Sequence, residues 1–183
     1  MAVLILHGIN GYAGVHWQQW LQKELLKRGY SVIMPDLPNP EHPDRKTWLR
    51  IAKKVVKHVD PKELIVVGHS LGVVTALDLA ESLKQPVKGL ISVSGFSDDY
   101  GAQLNSYFIK EKKINFDKVK KHVGESSAIY GSDDPFVPQE KLKSLAENLE
   151  TEPIVIAKAG HLNTEAGYIE FPLVLRIIEN LNR

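Results

Sequence analysis

The chain has 183 residues, of which 43% are hydrophobic and 25% charged, a length and mix that suit one globular domain, 1–183, with a sizeable core. Its 23 basic and 22 acidic residues nearly cancel, so no strong field draws in nucleic acid or an anionic membrane surface, and small, roughly neutral partners are expected. With no cysteine there is no disulfide framework, no thiolate metal site and no cysteine nucleophile.

The opening "MAVLILHG" lacks a basic flank, and its apolar run is too short for a signal-peptide core. No later run approaches the length needed to cross a bilayer, so the expected compartment is the cytoplasm. Val3 to Leu6 read as a buried strand that stops at the glycine-rich loop "HGINGYAG". His16 to Arg28 then carry Trp17, Trp20, Leu21 and Leu25 at helical spacing. The same unit recurs down the chain. "SVIMP" precedes a helix from about Arg45 to His58, "LIVVG" a helix from Ser70 to Lys84, and "VKGLISVSG" a long irregular stretch. "SSAIYG" precedes a helix from about Gln139 to Leu149, and "PIVIAKAG" one from Glu165 to Leu181.

Short Val, Ile and Leu runs without polar alternation indicate strands covered on both faces, and alternation with helices indicates parallel pairing through right-handed crossovers. The expected fold is α/β: a doubly wound, mostly parallel six-stranded sheet with helices on both faces. In such sheets ligands bind beyond the carboxyl ends of the strands, so the loops opening at His7, Gly68, Gly95, Gly131 and Ala159 should share one edge. The stretch 97–124 mixes aromatics with lysines and suits a short helix or two. Phe96, Tyr100, Tyr107 and Phe108 flank or occupy it, either as a partial cover over the site or as a satellite core.

"GHSLG", Gly68 to Gly72, sets a serine between two glycines, with a buried strand before it and an amphipathic helix after it. A sharp strand-to-helix turn crowds the flanking positions, which only glycine can fill, and thrusts the Ser70 hydroxyl outward. The alternative for Ser70 is a plain helix cap. A serine hydroxyl needs a general base, and that base needs a carboxylate to orient it. "SDDPFVP" and "AGHLN" supply both directly after successive strands, giving the chain order Ser70, Asp134, His161 used by the α/β-hydrolase fold. Asp134 is preferred to Asp133 because it starts the turn that Pro135 stiffens; Asp133 is expected to face water or cap the turn, and Asp98 and Asp99 are further candidates. The oxyanion donors expected are the backbone amides of Leu71, after the nucleophile, and Ile9, in the glycine-rich loop. His7, His16, His69 and His161 lack the spacing and carboxylate partners of a metal site, so neither metal nor cofactor is expected.

"LILHG", "VHWQQWL", "GHSLG", "SDDPFVP" and "AGHLN" together resemble the small α/β-hydrolase family of serine hydrolases that includes retinoblastoma-binding protein nine and the bacterial YdeN-type hydrolases. The resemblance spans nearly the whole chain. It implies a hydrolase with little or no lid and with Ser70, Asp134 and His161 as its triad, carboxylesterase-like, acting on a small ester or amide. It also makes the pair His16 and Trp17 a recurring feature, in which the indole lines the acyl pocket or anchors the core. The expected pocket residues are Asn10, Trp17, Phe96, Phe136 and Leu162. The retinoblastoma-binding motif contains a cysteine, which this chain lacks, so no partner of that kind is implied. Nor does the sequence imply a particular oligomeric state. An acyltransferase on the same triad, or a binding module that has kept the fold without turnover, are the rival functions.

Overall fold

The apolar runs become strands because their side chains are covered from both sides. The computed structural model describes residues 1–182. Its strands are β1 (Ala2–Leu6), β2 (Ser31–Ile33), β3 (Leu64–His69), β4 (Val87–Val93), β5 (Val123–Gly131) and β6 (Ile154–Ile156). They form one sheet in the order β2-β1-β3-β4-β5-β6, and every pairing is parallel. The helices are α1 (Gln18–Lys27), α2 (Arg45–Val55), α3 (Gly72–Ser82), α4 (Ser106–Lys110), α5 (Phe116–Lys121), α6 (Gln139–Asn148) and α7 (Pro172–Leu181).

Two apolar clusters sandwich the sheet. Val3, Ile5, Ile65, Val67, Ile91 and Val93 pack with α1 and α7, whereas Leu4, Leu6, Val66 and Leu90 pack with α2 to α6 on the other face. Neighbouring residues of one strand therefore enter opposite clusters, and each such burial is worth about 1.5–3 kcal/mol. Among the described residues no helix is long and apolar enough to cross a membrane.

Several boundaries differ from the sequence reading for local reasons. His16 has φ 59° and Ser70 φ 53°, both left-handed, so α1 starts at Gln18 and α3 at Gly72. The last helix begins at Pro172 and not at Glu165, because a 3-10 turn at Thr164–Ala166 ends on Gly167, which has φ 87°. Proline then opens the helix, where its missing N–H costs nothing.

α3 is apolar nearly all round and buried from Gly72 to Ala80, as befits a central helix. Its one deep carboxylate, Asp78, accepts from Arg45 Nε at 2.7 Å and Nη2 at 3.1 Å, and from Lys112 Nζ at 3.0 Å. Arg45 Nη1 also donates to the carbonyls of Phe108, Ile109 and Lys112, at 3.1, 3.0 and 2.8 Å. Carbonyls at the end of a short helix have no intrahelical donor, so this one guanidinium ties α4 to α2 and α3.

Candidate active site

β2 and β3 lie on opposite sides of β1, so the strand order reverses there and the loops after β1 and β3 leave a crevice between them. Ser70 sits at that point. A Cβ on Gly68 would stand 2.8 Å from Val73 Cα, and one on Gly72 would stand 2.6 Å from the Leu6 carbonyl oxygen, so the tight turn requires both glycines. The left-handed Ser70 backbone costs on the order of 1–3 kcal/mol. It is held by the Ser70 amide, which donates to the Val93 carbonyl at 2.9 Å, and by the buried helix that follows.

The carboxylate and the imidazole come from the loops after β5 and β6. His161 Nδ1 donates to Asp134 Oδ2 at 2.7 Å, and the Asp134 side chain is wholly shielded from solvent. The other carboxylate oxygen of Asp134 accepts from the amides of Phe136 at 2.9 Å and Val137 at 3.0 Å, which fixes the group in its turn. With Nδ1 carrying that proton, Nε2 of His161 holds a free lone pair. Asp133 is exposed and accepts from the Gly160 amide at 2.8 Å. Asp98 meets Ser144, and Asp99 is held by Ser106, Lys110 and the Gly101 amide. Those contacts, the Ser106 hydroxyl first, pull the Asp99 carboxyl down to about 2. Neither Asp98 nor Asp99 bonds to His161.

Ser70 and His161 border one cavity of about 790 Å³, and no hydrogen bond joins them. Around them stand Asn10, Tyr12 and His16 from the loop after β1, Tyr100, Leu104 and Asn105 from the segment after β4, and Phe136 and Glu165 from the last loops. Ile9 also borders the cavity, and among the described residues neither its amide nor that of Leu71 has a hydrogen-bond acceptor. The Leu71 side chain is buried in the core, so Leu71 offers the site only its backbone.

Of the pocket residues expected from sequence, the structure brings Asn10 and Phe136 to the cavity. It places Trp17, Phe96 and Leu162 in the core instead. Trp17 is fully buried because its indole N–H donates to the Leu162 carbonyl at 2.9 Å while its rings pack on His69 and Phe171. Leu162 lies in the cluster under α1 and α7, and Phe96 is buried on the other face of the sheet.

The sequence sets His7, His16 and His69 aside as metal ligands without revealing the structural contacts they make around the site. His7 is buried; its Nδ1 donates to the Gly8 carbonyl at 2.8 Å, and Nε2 accepts from the Leu37 amide at 2.9 Å. It thereby braces the Ile9 loop, and burial pushes its pKa below the usual imidazole value. His69 is buried and hydrogen-bonds to the His161 carbonyl, and burial, followed by the neighbouring His161, lowers its pKa well below normal. His16 accepts from the Thr164 amide, and burial lowers its pKa too. Each follows or opens a glycine loop, a position that marks an edge of the sheet without revealing the partner. Among the described residues no group of three or more His, Asp or Glu side chains converges as a metal site would require.

Comparison with known proteins agrees with this fold. A family model described as "Serine hydrolase" matches residues 3–180. The YdeN hydrolase of Bacillus subtilis is 26% identical over 178 residues, covering 96% of this chain and 93% of its own. Serine hydrolase RBBP9 of Rattus norvegicus is 25% identical over 185 residues, covering 98% and 94%. The crystal structure of the B. subtilis ydeN gene product superposes with a TM-score of 0.91 at 26% identity, over 98% of this chain and 97% of that one. Est1E from Butyrivibrio proteoclasticus, at 16% identity with a TM-score of 0.76 over 98% and 87%, shares the fold.

Proposed function

The chain belongs to the serine hydrolase family, and from that premise we propose that it cleaves small carboxylic esters, and amides of similar shape, through an acyl-enzyme on Ser70. Ser70 Oγ attacks the carbonyl carbon while His161 Nε2 takes its proton. The Asp134 carboxylate steadies the imidazolium that forms. The amides of Ile9 and Leu71 receive the negative charge on the tetrahedral oxygen. His161 then returns its proton to the departing alcohol or amine. Water, deprotonated by the same imidazole, attacks the acyl-serine, and His161 returns that proton to Ser70 Oγ as the acid leaves.

The observation that carries this mechanism is the placement of Ser70 and His161 on one cavity, with shielded Asp134 bonded to the far nitrogen of that imidazole at 2.7 Å. In free hydrolases the serine–histidine bond is often long and tightens when substrate fills the site, so its absence here is compatible with the chemistry. Among the described residues nothing basic apart from histidines borders the cavity, and Tyr12, Tyr100, Leu104 and Phe136 give its lining an aromatic and aliphatic part that suits a neutral acyl chain.

The test is labelling of wild-type, Ser70→Ala and His161→Ala proteins with a fluorophosphonate, the modified peptide being located by mass spectrometry. Labelling at Ser70, suppressed in His161→Ala and accompanied by turnover of 4-nitrophenyl acetate, is the expected result. An unlabelled but folded wild type would reduce the protein to a binding module.

A further inference from the structure

We propose that His16, Trp17 and His69 are positioning residues that grip the backbone of the loop carrying His161, and that His69 has the largest share in aiming its imidazole. This rests on His161 being the general base.

The three side chains bind successive points of one short loop. His69 Nε2 donates to the His161 carbonyl at 3.0 Å. Trp17 Nε1 donates to the Leu162 carbonyl at 2.9 Å. His16 Nδ1 accepts from the Thr164 amide at 3.1 Å and meets the Thr164 hydroxyl at 2.9 Å. From the opposite side, Ser132 Oγ accepts from the Lys158 amide at 3.1 Å and Asp133 Oδ1 from the Gly160 amide at 2.8 Å.

Such a loop needs external support. Lys158, Gly160 and Leu162 all have φ 53°, a left-handed backbone that a branched leucine resists, so the chain would relax elsewhere if released. The rings also pack in a row at steep angles, edge to face or tilted: Phe136 to His161 at 5.1 Å, His161 to His69 at 5.0 Å and His69 to His16 at 5.3 Å between centroids. Of the three, only His69 both touches the His161 ring and bonds to its backbone. Its donation to a carbonyl requires a proton on Nε2, and burial keeps the ring neutral, so the grip adds no charge beside the base. A catalytic group displaced by about 1 Å can lose about a hundredfold in rate, which is the scale on which such a grip matters.

The test compares His69→Leu, which removes the donor, with His69→Gln, whose amide N–H reaches a similar place, and with Trp17→Phe, which keeps a six-membered aromatic ring and loses the indole N–H together with its pyrrole. With 4-nitrophenyl acetate as the probe, His69→Leu is expected to lose about ten- to hundredfold in kcat with KM within about twofold, and His69→Gln to recover most of it. Proton NMR supplies a readout independent of turnover. The downfield Nδ1–H resonance of His161, identified by its loss in Asp134→Asn, should persist in His69→Gln and broaden or vanish in His69→Leu. Should His69→Leu fail to fold, Trp17→Phe carries the test, with a smaller kcat loss and a weakened resonance expected. An unchanged resonance and kcat in whichever of His69→Leu and Trp17→Phe folds overturns the grip. Full turnover in His161→Ala would instead overturn the mechanism beneath it.

Discussion

The two walls of the cavity are built on opposite plans. The His161 loop is tied to its surroundings by side-chain bonds from Ser132, Asp133, His16, Trp17 and His69, each made to its backbone. The facing segment, from Ser97 to α4, presents Tyr100, Leu104 and Asn105 to the cavity. In that segment Ser97 Oγ, Asn105 Oδ1 and the Tyr107 hydroxyl are buried without a hydrogen-bond partner among the described residues. Besides the contacts of Asp98 and Asp99, the segment is anchored from behind, where Arg45 holds the end of α4. A proton-transferring group must be fixed to within a fraction of an ångström, whereas a wall that receives acyl chains gains from being adaptable. Under the proposed mechanism, the tethers therefore gather around the proton-transferring group.

The sharpest break in the comparison comes from the two neighbouring aspartates, which serve the same wall in different ways. Asp134→Asn should cost about 10³–10⁴ in kcat, since the amide no longer enforces the imidazole tautomer. Asp133→Asn removes one backbone tether among several and should cost less than about tenfold. Steady-state kinetics on a chromogenic ester compares them. Similar losses in both would mean that Asp134 acts as one more tether.

Much of this layout was legible in the sequence, but not evenly. The strands, and the placement of Ser70, Asp134 and His161 on the loops after β3, β5 and β6, could be read because elbow glycines and strand-end loops are constrained locally. Trp17, Leu162 and Phe96 could not be assigned correctly to pocket or core. Whether an aromatic points inward depends on a partner far along the chain; Trp17 is fixed by a carbonyl 145 residues away. Arg45 and Asp78 escaped for the same reason, being 33 apart and each ordinary in its own helix. The last helix starts at Pro172 and not at Glu165: Gly167 and Pro172, both plain in the sequence, separate a 3-10 turn from the helix proper.

The rear anchor of the adaptable wall gives the next largest effect. Arg45→Met leaves Asp78 buried with only Lys112 to neutralise it, so unfolding in urea should show a loss of about 3 kcal/mol, at the low end for a broken buried pair. The double variant Arg45→Met with Asp78→Leu should recover much of that, because no charge is then stranded. Activity per folded molecule should change little, the anchor being remote from Ser70. A loss below about 1 kcal/mol would show that water already reaches this pair.

Smaller effects are expected at the mouth. Phe136 is 60% exposed and Leu104 48% exposed, so neither supports the core, yet both border the cavity. Phe136→Ala and Leu104→Ala should each raise KM by about three- to tenfold for a butyryl ester with kcat nearly unchanged, the signature of binding shared by ground and transition states. The rise should shrink for the acetyl ester, whose chain is too short to use that wall. A kcat effect at Phe136 would instead mean that its edge contact with the His161 ring helps to hold the base.

Acid should distinguish the walls most gently. His7, His16 and His69 all have pKa values lowered by burial, so the unfolded chain binds protons in a pH range where the folded chain does not. By linkage, their contribution is intact above about pH 6.5 and is lost progressively as pH falls below that toward the lowered folded values. The lowered carboxyl of Asp99 on the adaptable wall loses its contribution only below its ordinary value of 3.8, toward about 2, and so adds nothing to the slope between pH 7.5 and 5. Between pH 7.5 and 5 the melting temperature should therefore decline, each kcal/mol appearing as about 2–4 °C in a chain of this size. His69→Gln, which cannot titrate, should flatten the slope, whereas Asp99→Asn should leave it unchanged. If Asp99→Asn altered the slope and His69→Gln did not, the acid-sensitive element would be the segment after β4 and not the histidine row behind the base.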